Sequence, residues 1–256
     1  GATNLCGRGT PTWFVRILPF LDAEPFYGQW DIIESVSNQS IDVRRRPLNV
    51  FLCPTRRGTE NAFSPTKTVT MSASCGCSGT VTFPGGATVD YAGNHGDLSP
   101  GAMGFTSDFY FGGNGNGVII SSRAKCNGND PVDWIDKISI RDVTDGVSNT
   151  ILAGELHIPH GKLNAVPENT SGYNGWHLSA SMRIGGPGVP IAPSSNYQDS
   201  RLYSFGSWHH GGCNFVISDG SVRTVANGID TTTLGRLCHI RTENSLVIVT
   251  KYFVLL

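Results

Sequence analysis

Charged residues are scarce in this sequence, and it contains no long hydrophobic run. Asp, Glu, Lys and Arg make up 15% of its 256 residues, and the formal net charge is -1. Such a small net charge gives no overall field that would attract nucleic acid or anionic lipid. The apolar stretch over residues 246–256 is interrupted by Thr250 and Lys251. It is also shorter than the roughly 20 residues of a transmembrane helix, so we expect no membrane span here and no nucleic-acid partner.

The sequence also lacks the motifs of several enzyme classes. It contains no Gly-x-Ser-x-Gly turn that would expose a nucleophilic serine, and no Cys-x-x-Cys pair of the kind used by zinc ribbons and redox enzymes. A hydrolytic triad would need His209, a serine such as Ser207 or Ser218, and an acid. The candidate acids, Asp219 and Asp145, both already belong to predicted turns. We therefore predict that the protein is not an enzyme.

Glycine and cysteine are both abundant. The 32 glycines predict a loop-rich chain with many turns and short strands. Seven cysteines are many for a cytosolic protein and favour export to an oxidising, extracellular or cell-surface environment. An odd number leaves at least one thiol free or joined to another chain, and the sequence does not determine the pairing. The candidates for disulfide bonds are Cys6, Cys53, Cys75, Cys77, Cys126, Cys213 and Cys238.

Hydrophobic periodicity divides the first 200 residues into ordered and loop-rich parts. Residues 12–30 carry apolar side chains at helical spacing and predict a short amphipathic helix interrupted near Pro19. Residues 48–52 predict a buried strand. Residues 56–135 and 159–200 are rich in Gly, Ser and Asn and predict two long loop insertions. Short strands within the first insertion are predicted at residues 80–83, 89–92 and 118–121.

A compact turn leads into a core strand near the middle of the chain. Asp145 and Asn149 can bond to neighbouring backbone groups, and Gly146 can adopt a positive φ. The apolar residues that follow, 151–155, predict a strand. Glu155 closes this strand, where an unpaired carboxylate would be costly, so we expect a buried hydrogen bond or an ion pair with an Arg or His.

The clearest local signal is a hairpin near the C-terminus. Residues 213–218 and 221–225 alternate in polarity around Asp219-Gly220, a pair that favours a two-residue type I′ turn. In that register Ile217 faces Val222 and Phe215 faces Thr224. Beyond the hairpin, Asp230 or Thr231 is expected to cap a short helix, and residues 246–254 predict a last strand.

Five sequence blocks carry motifs in a fixed order, at residues 13–27, 51–54, 90–94, 144–155 and 205–223. In the last block His209 is followed by nine residues and then by Asp219-Gly220. Taken in order, these blocks resemble those of a large family of planctomycete-type pilin-like proteins, a domain of unknown function recognised by this spacing. The positions that carry the resemblance, expected to shape the backbone, are His209, Gly211, Gly212, Asn214, Asp219, Gly220, Asp145, Gly146, Asn149 and Glu155.

The resemblance implies architecture and location more than chemistry. Members of the family begin with a prepilin-type leader and a hydrophobic α-helix, so a membrane contact is expected only through an anchor helix preceding residue 1. It implies a head domain that assembles with copies of itself or with other surface proteins. Aromatic residues are frequent at such contacts, and the candidates are Trp13, Trp30, Trp134 and Trp176.

Two groups of residues could bind metal ions. His209, His210 and Cys213 offer imidazole and thiolate ligands for zinc or copper, although neighbouring side chains on an extended chain point to opposite faces. Hydrogen bonding of His209 at the start of the hairpin is the alternative. Oxygen ligands for calcium are concentrated on one loop without the EF-hand spacing, and ordinary Asx turns also explain them. The candidate calcium ligands are Asn127, Asn129, Asp130, Asp133 and Asp136.

The expected fold class is α+β, as a single domain over residues 1–256. We expect a pilin-like head with an antiparallel β-sheet, helical elements near the N-terminus and long Gly-rich loop insertions. The predicted function is that of a non-enzymatic, self-assembling structural protein of the cell surface. The alternatives are a surface module that binds a glycan or small solute and, ranked lower, a metal-dependent hydrolase. No cofactor is expected unless calcium binds.

Overall fold

A computed structural model describes residues 6, 9–72, 78–97, 115–120, 124–134, 137–197 and 203–242. Cys75, Cys77, Asp136 and the predicted strand at 246–254 lie outside these residues. The fold is broadly α+β, with few and short helices. No helix in the described residues is both long enough and apolar enough to cross a membrane.

The helices are one or two turns long. The α-helices of the described chain are α1 (Trp13–Arg16), α2 (Glu24–Tyr27), α3 (Ile41–Arg44) and α4 (Thr231–Cys238). Single 3-10 turns occupy Leu18–Leu21, Val36–Asn38, Asn49–Phe51, Thr59–Asn61, Ile140–Asp142 and Leu178–Ala180. The predicted helix over 12–30 is thus three short pieces, and Pro25 lies in the first turn of α2. Proline suits a first helical turn because that turn leaves its N–H groups unpaired.

The strands form one central sheet and three small hairpins or ladders. Their bounds are β1 (Phe63–Ser64), β2 (Lys67–Ser72), β3 (Ser78–Phe83), β4 (Gly86–Ala87), β5 (Tyr91–Gly96), β6 (Ala124–Asn127), β7 (Asp130–Trp134), β8 (Ile151–Glu155), β9 (Met182–Ile184), β10 (Gly212–Ile217) and β11 (Val222–Ala226). The central sheet has the order β11-β10-β8-β5-β9. All its pairs are antiparallel except β5 with β9, which is parallel.

The structure confirms some of the predicted elements and corrects others. Strand β8 coincides with the predicted strand at 151–155, and β3 contains residues 80–83. Residues 48–52 are wrong as a strand, because residues 49–51 form a 3-10 turn that buries Phe51. A short apolar run has the same pattern in a strand and in a buried turn. Residues 118–120 are likewise not a strand, and β9 was not predicted.

The C-terminal hairpin exists, but its predicted register is wrong by one residue. Val216 pairs with Val222, and Phe215 pairs with Arg223. The loop has three residues, because the amide of Gly220 donates to the carbonyl of Ile217 and Gly220 has φ +87°. This is a type I turn followed by a left-handed glycine, in place of the predicted two-residue turn.

The central sheet has a buried face and a partly open face. Phe215 and Ile217 of β10 pack on the same side as Leu234 and Leu237 of α4 and form one core cluster. Val216 lies between them on the other side and is only partly buried. Asp230 caps α4 as predicted, since its Oδ1 accepts from the amide of Thr233 at 2.9 Å. Helix α4 therefore covers one face of the sheet.

A second core cluster lies under the N-terminal helices. Phe14 and Phe26 are buried with Tyr173, which reaches this cluster from the second insertion. Trp30 lies edge-on to Tyr173, with ring centroids 5.2 Å apart, and is 6% exposed. Trp30 is therefore a core residue, and its predicted role at an assembly surface is wrong. Trp176 is 50% exposed, and the side chain of Trp134 lies outside what the structure describes.

Gly154 of β8 provides a test of packing on the buried face. A Cβ atom at this position would lie 2.4 Å from the ring of Phe215. Gly154→Ala is therefore expected to lower the free energy of unfolding by about 1–3 kcal/mol, because the core must shift to admit a methyl group. Urea unfolding measures the change. Gly79→Ala in β3 is the matched control, since nothing lies within 4 Å of its new methyl group; equal losses would contradict the packing described here.

Two buried histidines are expected to make the folded protein less stable in acid. Burial lowers the pKa of His95 to about 3 and that of His177, which stacks on Phe83, to about 4. An unfolded histidine titrates near pH 6.5, so the unfolded chain binds more protons below that pH. The stability that the two neutral histidines contribute is complete above pH 6.5 and is lost as the pH falls toward 4. His177→Phe keeps a stacked ring and should flatten the pH dependence of urea unfolding, whereas the exposed His210→Gln should not.

Candidate functional site

Four of the sequence blocks meet at one place in the structure. Cys53 follows the 3-10 turn at 49–51, and Asp90 immediately precedes β5. Glu155 is the last residue of β8, and His209 lies just before β10. Because β8 lies between β5 and β10 in the sheet, strand pairing brings these segments together. Cys53 and His209 are separated by 156 positions in sequence, yet Cys53 Sγ lies 3.6 Å from His209 Nε2.

Asp90 is the buried anchor of this site. Its Oδ1 lies 3.0 Å from Nη1 of Arg56 and 2.6 Å from Nη2 of Arg57, and all three side chains are buried. Its Oδ2 accepts from the amide of Cys53 at 3.0 Å and from Nε of Arg57 at 3.2 Å. Charge-assisted hydrogen bonds of this kind are strong and geometrically specific. They tie the turn that carries Cys53 to the start of β5.

The two arginines also make contacts beyond Asp90. Arg57 Nη1 donates to Asn164 and Asn169 of the second insertion, at 2.8 Å in each case. Arg56 lies over the ring of Trp208, with its guanidinium carbon 5.7 Å from the ring centroid. The arginines thus link the Cys53 turn to the second insertion and to the segment before β10.

Glu155 makes the buried hydrogen bond expected for it and also lies against His209. Glu155 Oε1 lies 3.1 Å from His209 Nε2, and its Oε2 accepts from the amide of Asn214 at 2.8 Å. Glu155 is fully buried, whereas the His209 side chain is 33% exposed. Among the described residues, Cys53, Glu155 and His209 are the His, Cys, Asp or Glu side chains that could hold a metal ion, with one ligand atom of each within 4.8 Å of the others.

The thiols at this site are not poised as nucleophiles. Burial, followed by the charge of Glu155, raises the pKa of the Cys53 thiol, although hydrogen bonds from Thr55 oppose the rise. Burial also raises the pKa of Cys213, whose Sγ faces the carbonyl of Glu155 at 3.7 Å. Reactive cysteines need a lowered pKa. Both thiols are therefore protonated at neutral pH when nothing else binds them.

The geometry also differs from a nucleophilic triad. In a triad the base contacts the nucleophile through one ring nitrogen and its orienting acid through the other. Here Cys53 and Glu155 both face Nε2 of His209. Ser207 is engaged with the backbone, since its Oγ donates to the carbonyl of Gly212 and accepts from the amide of His209 at 3.0 Å.

The other residues singled out by the resemblance shape turns and strands. Asp219 Oδ1 accepts from the amide of Ser221 at 2.9 Å, and Gly211 has φ +76°. Asn214 Oδ1 accepts from the hydroxyl of Thr224 across the hairpin. Gly212 begins β10. None of these four residues supplies a ligand atom to the group around His209.

The predicted turn before β8 is present. Gly146 has φ +94°, and the side-chain amide of Asn149 donates to the carbonyl of Asp145 at 3.3 Å. Asp145 Oδ2 accepts from the amide of Thr242 at 2.7 Å, beyond the end of α4. This turn therefore connects β8 to the segment after α4.

The candidate calcium ligands lie on the exposed β6–β7 hairpin. Asn127 pairs with Asp130 beside the turn, and Asn129 lies within the turn. Asp133 Oδ1 lies 2.7 Å from Lys137 Nζ. Asp136 lies outside the described residues. The described hairpin contains no group of three carboxylates within reach of one ion.

The five cysteines that the structure describes divide into one disulfide and three free thiols. Cys6 and Cys126 are joined, which is consistent with folding in an oxidising compartment. Cys53, Cys213 and Cys238 are buried and free, so the disulfide expectation for these three is wrong in this structure.

Sequence reasoning missed the roles of Asp90, Arg56 and Arg57, and missed the approach of Cys53 to His209. The only indication in the sequence was that residues 51–54 and 90–94 are among the blocks that resemble the family. The proposed cluster of His209 with His210 and Cys213 is not the one that the structure forms: His210 is exposed and Cys213 lies on the core face of β10.

Fold and site together define an α+β protein with a buried Arg–Asp–Arg network beside a Cys–Glu–His cluster. A family model, SBP_bac_10, described as "Protein of unknown function (DUF1559)", matches residues 2–232. The chain belongs to this family. No curated protein and no solved structure gives a significant match.

Because Asp90 anchors two buried arginines, we expect a single substitution at this position to lower the stability of the protein strongly. Asp90→Asn removes the negative charge and leaves two buried guanidinium groups without a counter-ion. The free energy of unfolding should fall by about 3–5 kcal/mol. Asp133→Asn is the control, because the Asp133–Lys137 pair is exposed and should contribute about 0.5 kcal/mol or less. Chemical denaturation measures both, and a loss under 1 kcal/mol for Asp90→Asn would contradict the anchor role.

Proposed function

We propose that this protein is a non-enzymatic, pilin-like structural subunit of the cell surface, and that its central sheet packs against a hydrophobic helix. The observation that carries the proposal is an apolar groove of about 420 Å³ on the open face of the sheet. Helix α1 forms one side of the groove, and strands β8, β10 and β11 form its floor. The lining residues are Trp13, Phe14, Ile17, Leu21, Val50, Phe51, Tyr91, Ile119, Leu152, Ala153, Gly154, Asn214, Phe215, Val216 and Val222.

The sheet carries apolar side chains on both faces. An antiparallel sheet with one solvated face normally alternates apolar and polar residues. Here α4 covers the first face, while Leu152, Val216 and Val222 line the groove on the second. Val222 is 69% exposed, and Val50 on the other side of the groove is 56% exposed. A layer that covers these residues would bury apolar surface at about 25 cal/mol per Å².

The occupant that we propose for the groove is a hydrophobic α-helix preceding residue 1. Such a helix is what the resemblance to pilin-like proteins implies. The groove fits it chemically, because only Trp13, Tyr91 and Asn214 among the lining residues carry a polar side-chain atom. An amphipathic helix recognises such an apolar groove by burying its own apolar face. The sheet then serves as the head of a subunit that assembles with other copies.

A second candidate function is favoured by the size of the groove. Small-molecule pockets occupy about 300–1,000 Å³ and are mostly apolar, and the groove at about 420 Å³ lies in that range. An apolar solute fits this lining better than a glycan, which needs several polar partners. A surface module that binds such a solute would show saturable binding of a fatty acid by residues 1–256 alone.

The helix proposal predicts different effects for two exposed valines. The protein is expressed together with the segment that its native gene encodes upstream. Val222→Asp should then reduce the assembled fraction more than about tenfold, because a carboxylate buried without a partner costs over 1.4 kcal/mol. Val132→Asp is the matched control, since Val132 is 58% exposed on β7 and lies outside the groove.

Sedimentation of the assembled protein measures the assembled fraction, and hydrogen exchange of β10 and β11 reports whether the groove is covered. The proposal fails if the upstream codons encode no hydrophobic helix, or if the two valine variants assemble to the same extent. Saturable fatty-acid binding that is unaffected by the upstream segment would favour the solute module instead.

A further inference from the structure

Three side chains that bind metals through different atoms converge from distant parts of the chain. Cys53 offers a sulfur, Glu155 a carboxylate oxygen and His209 an imidazole nitrogen, and these atoms all lie within 4.8 Å of one another. Each comes from a different element: the turn after residues 49–51, the end of β8 and the segment before β10. Such a grouping does not follow from one local turn, because strand pairing and the contacts of Asp90 together bring the three segments to one place.

The interatomic distances suit a single tetrahedral ion. Bonds of about 2.0 Å to nitrogen and 2.3 Å to sulfur in a tetrahedral zinc site put those two atoms roughly 3.6 Å apart. Cys53 Sγ lies 3.6 Å from His209 Nε2. Two oxygen or nitrogen ligands of the same ion lie roughly 3.3 Å apart, and Glu155 Oε1 lies 3.1 Å from His209 Nε2. Small side-chain movements would complete the geometry.

The buried carboxylate supplies a second, independent observation. Glu155 is fully buried, and its Oε1 accepts no aligned hydrogen bond from the described residues. The other oxygen, Oε2, is held by the amide of Asn214. Nε2 of His209, which lies 3.1 Å from Oε1, is also approached by the sulfur of Cys53. One nitrogen has a single proton or a single lone pair, so it does not satisfy both neighbours, whereas a cation among the three atoms would.

We propose that Cys53, Glu155 and His209 bind one Zn²⁺ ion, with a water molecule as the fourth ligand. A mixed set of thiolate, imidazole and carboxylate suits zinc, whereas calcium and magnesium prefer oxygen ligands alone. Binding replaces the thiol proton of Cys53, which leaves to solvent. His209, at 33% exposed, provides the access path, since the Cys53 and Glu155 side chains are buried.

The neighbouring residues orient the ligands. The amide of His209 donates to Ser207 Oγ, and the amide of Asn214 holds Glu155 from the opposite side. The amide of Cys53 donates to Asp90. Such contacts fix ligand geometry in metal sites. The ion would join three segments of the fold, and this role is independent of what occupies the apolar groove.

The test uses the whole protein after removal of metal with a chelator. Zn²⁺ is titrated against a chromophoric competitor, and Co²⁺ is added separately to read the thiolate-to-cobalt absorption. The expected result is one Zn²⁺ per chain. His209→Gln should weaken zinc binding at least about 100-fold, because it removes a ligand and not merely a residue that orients one. Cys53→Ser should abolish the cobalt–thiolate absorption. The matched controls are His210→Gln, an exposed neighbouring histidine, and Cys238→Ser, a buried free thiol elsewhere.

A measurement on the unaltered protein keeps the proposal testable if a variant does not fold. X-ray absorption at the zinc edge should show one sulfur at about 2.3 Å and three lighter ligands near 2.0 Å. Two or more sulfur ligands would overturn the assignment, as would sub-stoichiometric binding with no sulfur ligand, which marks an adventitious ion only. Equal losses in His209→Gln and His210→Gln would also overturn it.

Discussion

The buried contact of Asp90 with Arg56 and Arg57 is the interaction on which the rest of the structure depends. It joins the turn after residues 49–51 to the first residue of β5, while Arg57 reaches into the second insertion. Two cations around one carboxylate leave a net positive charge in the interior. The charged groups persist in the interior because each is hydrogen-bonded, Asp90 by the amide of Cys53 and the two arginines by backbone carbonyls.

The position of Glu155 follows from this arrangement. Asp90 aligns the start of β5, and β5 pairs with β8 so that Tyr91 lies opposite Glu155. The other neighbour of β8 is β10, whose amide at Asn214 holds one oxygen of Glu155. The segment before β10 then brings His209 to the remaining oxygen. The pairing of β5, β8 and β10 holds the segments of this site together, which suits either a structural ion or a fixed assembly surface.

Some elements were predictable because their causes are local. The strand at 151–155 is preceded by turn chemistry at Gly146 and Asn149, and Asp230 is a strong N-cap for α4. The hairpin was located by Asp219-Gly220, but its register failed because the same pair also fits a three-residue loop. Residues 49–51 were misassigned because a run of apolar residues reads alike in a strand and in a buried turn.

The sequence by itself determined the turn before β8, the helix cap, the low charge and the family. Only the tertiary structure decided that Cys6 and Cys126 are bonded while Cys53 remains a thiol beside His209. The physical reason is the distance along the sequence over which each feature is determined. A cap or a turn depends on residues within a few positions, whereas the approach of Cys53, Glu155 and His209 depends on which strands are neighbours in the sheet, and no local pattern encodes that order.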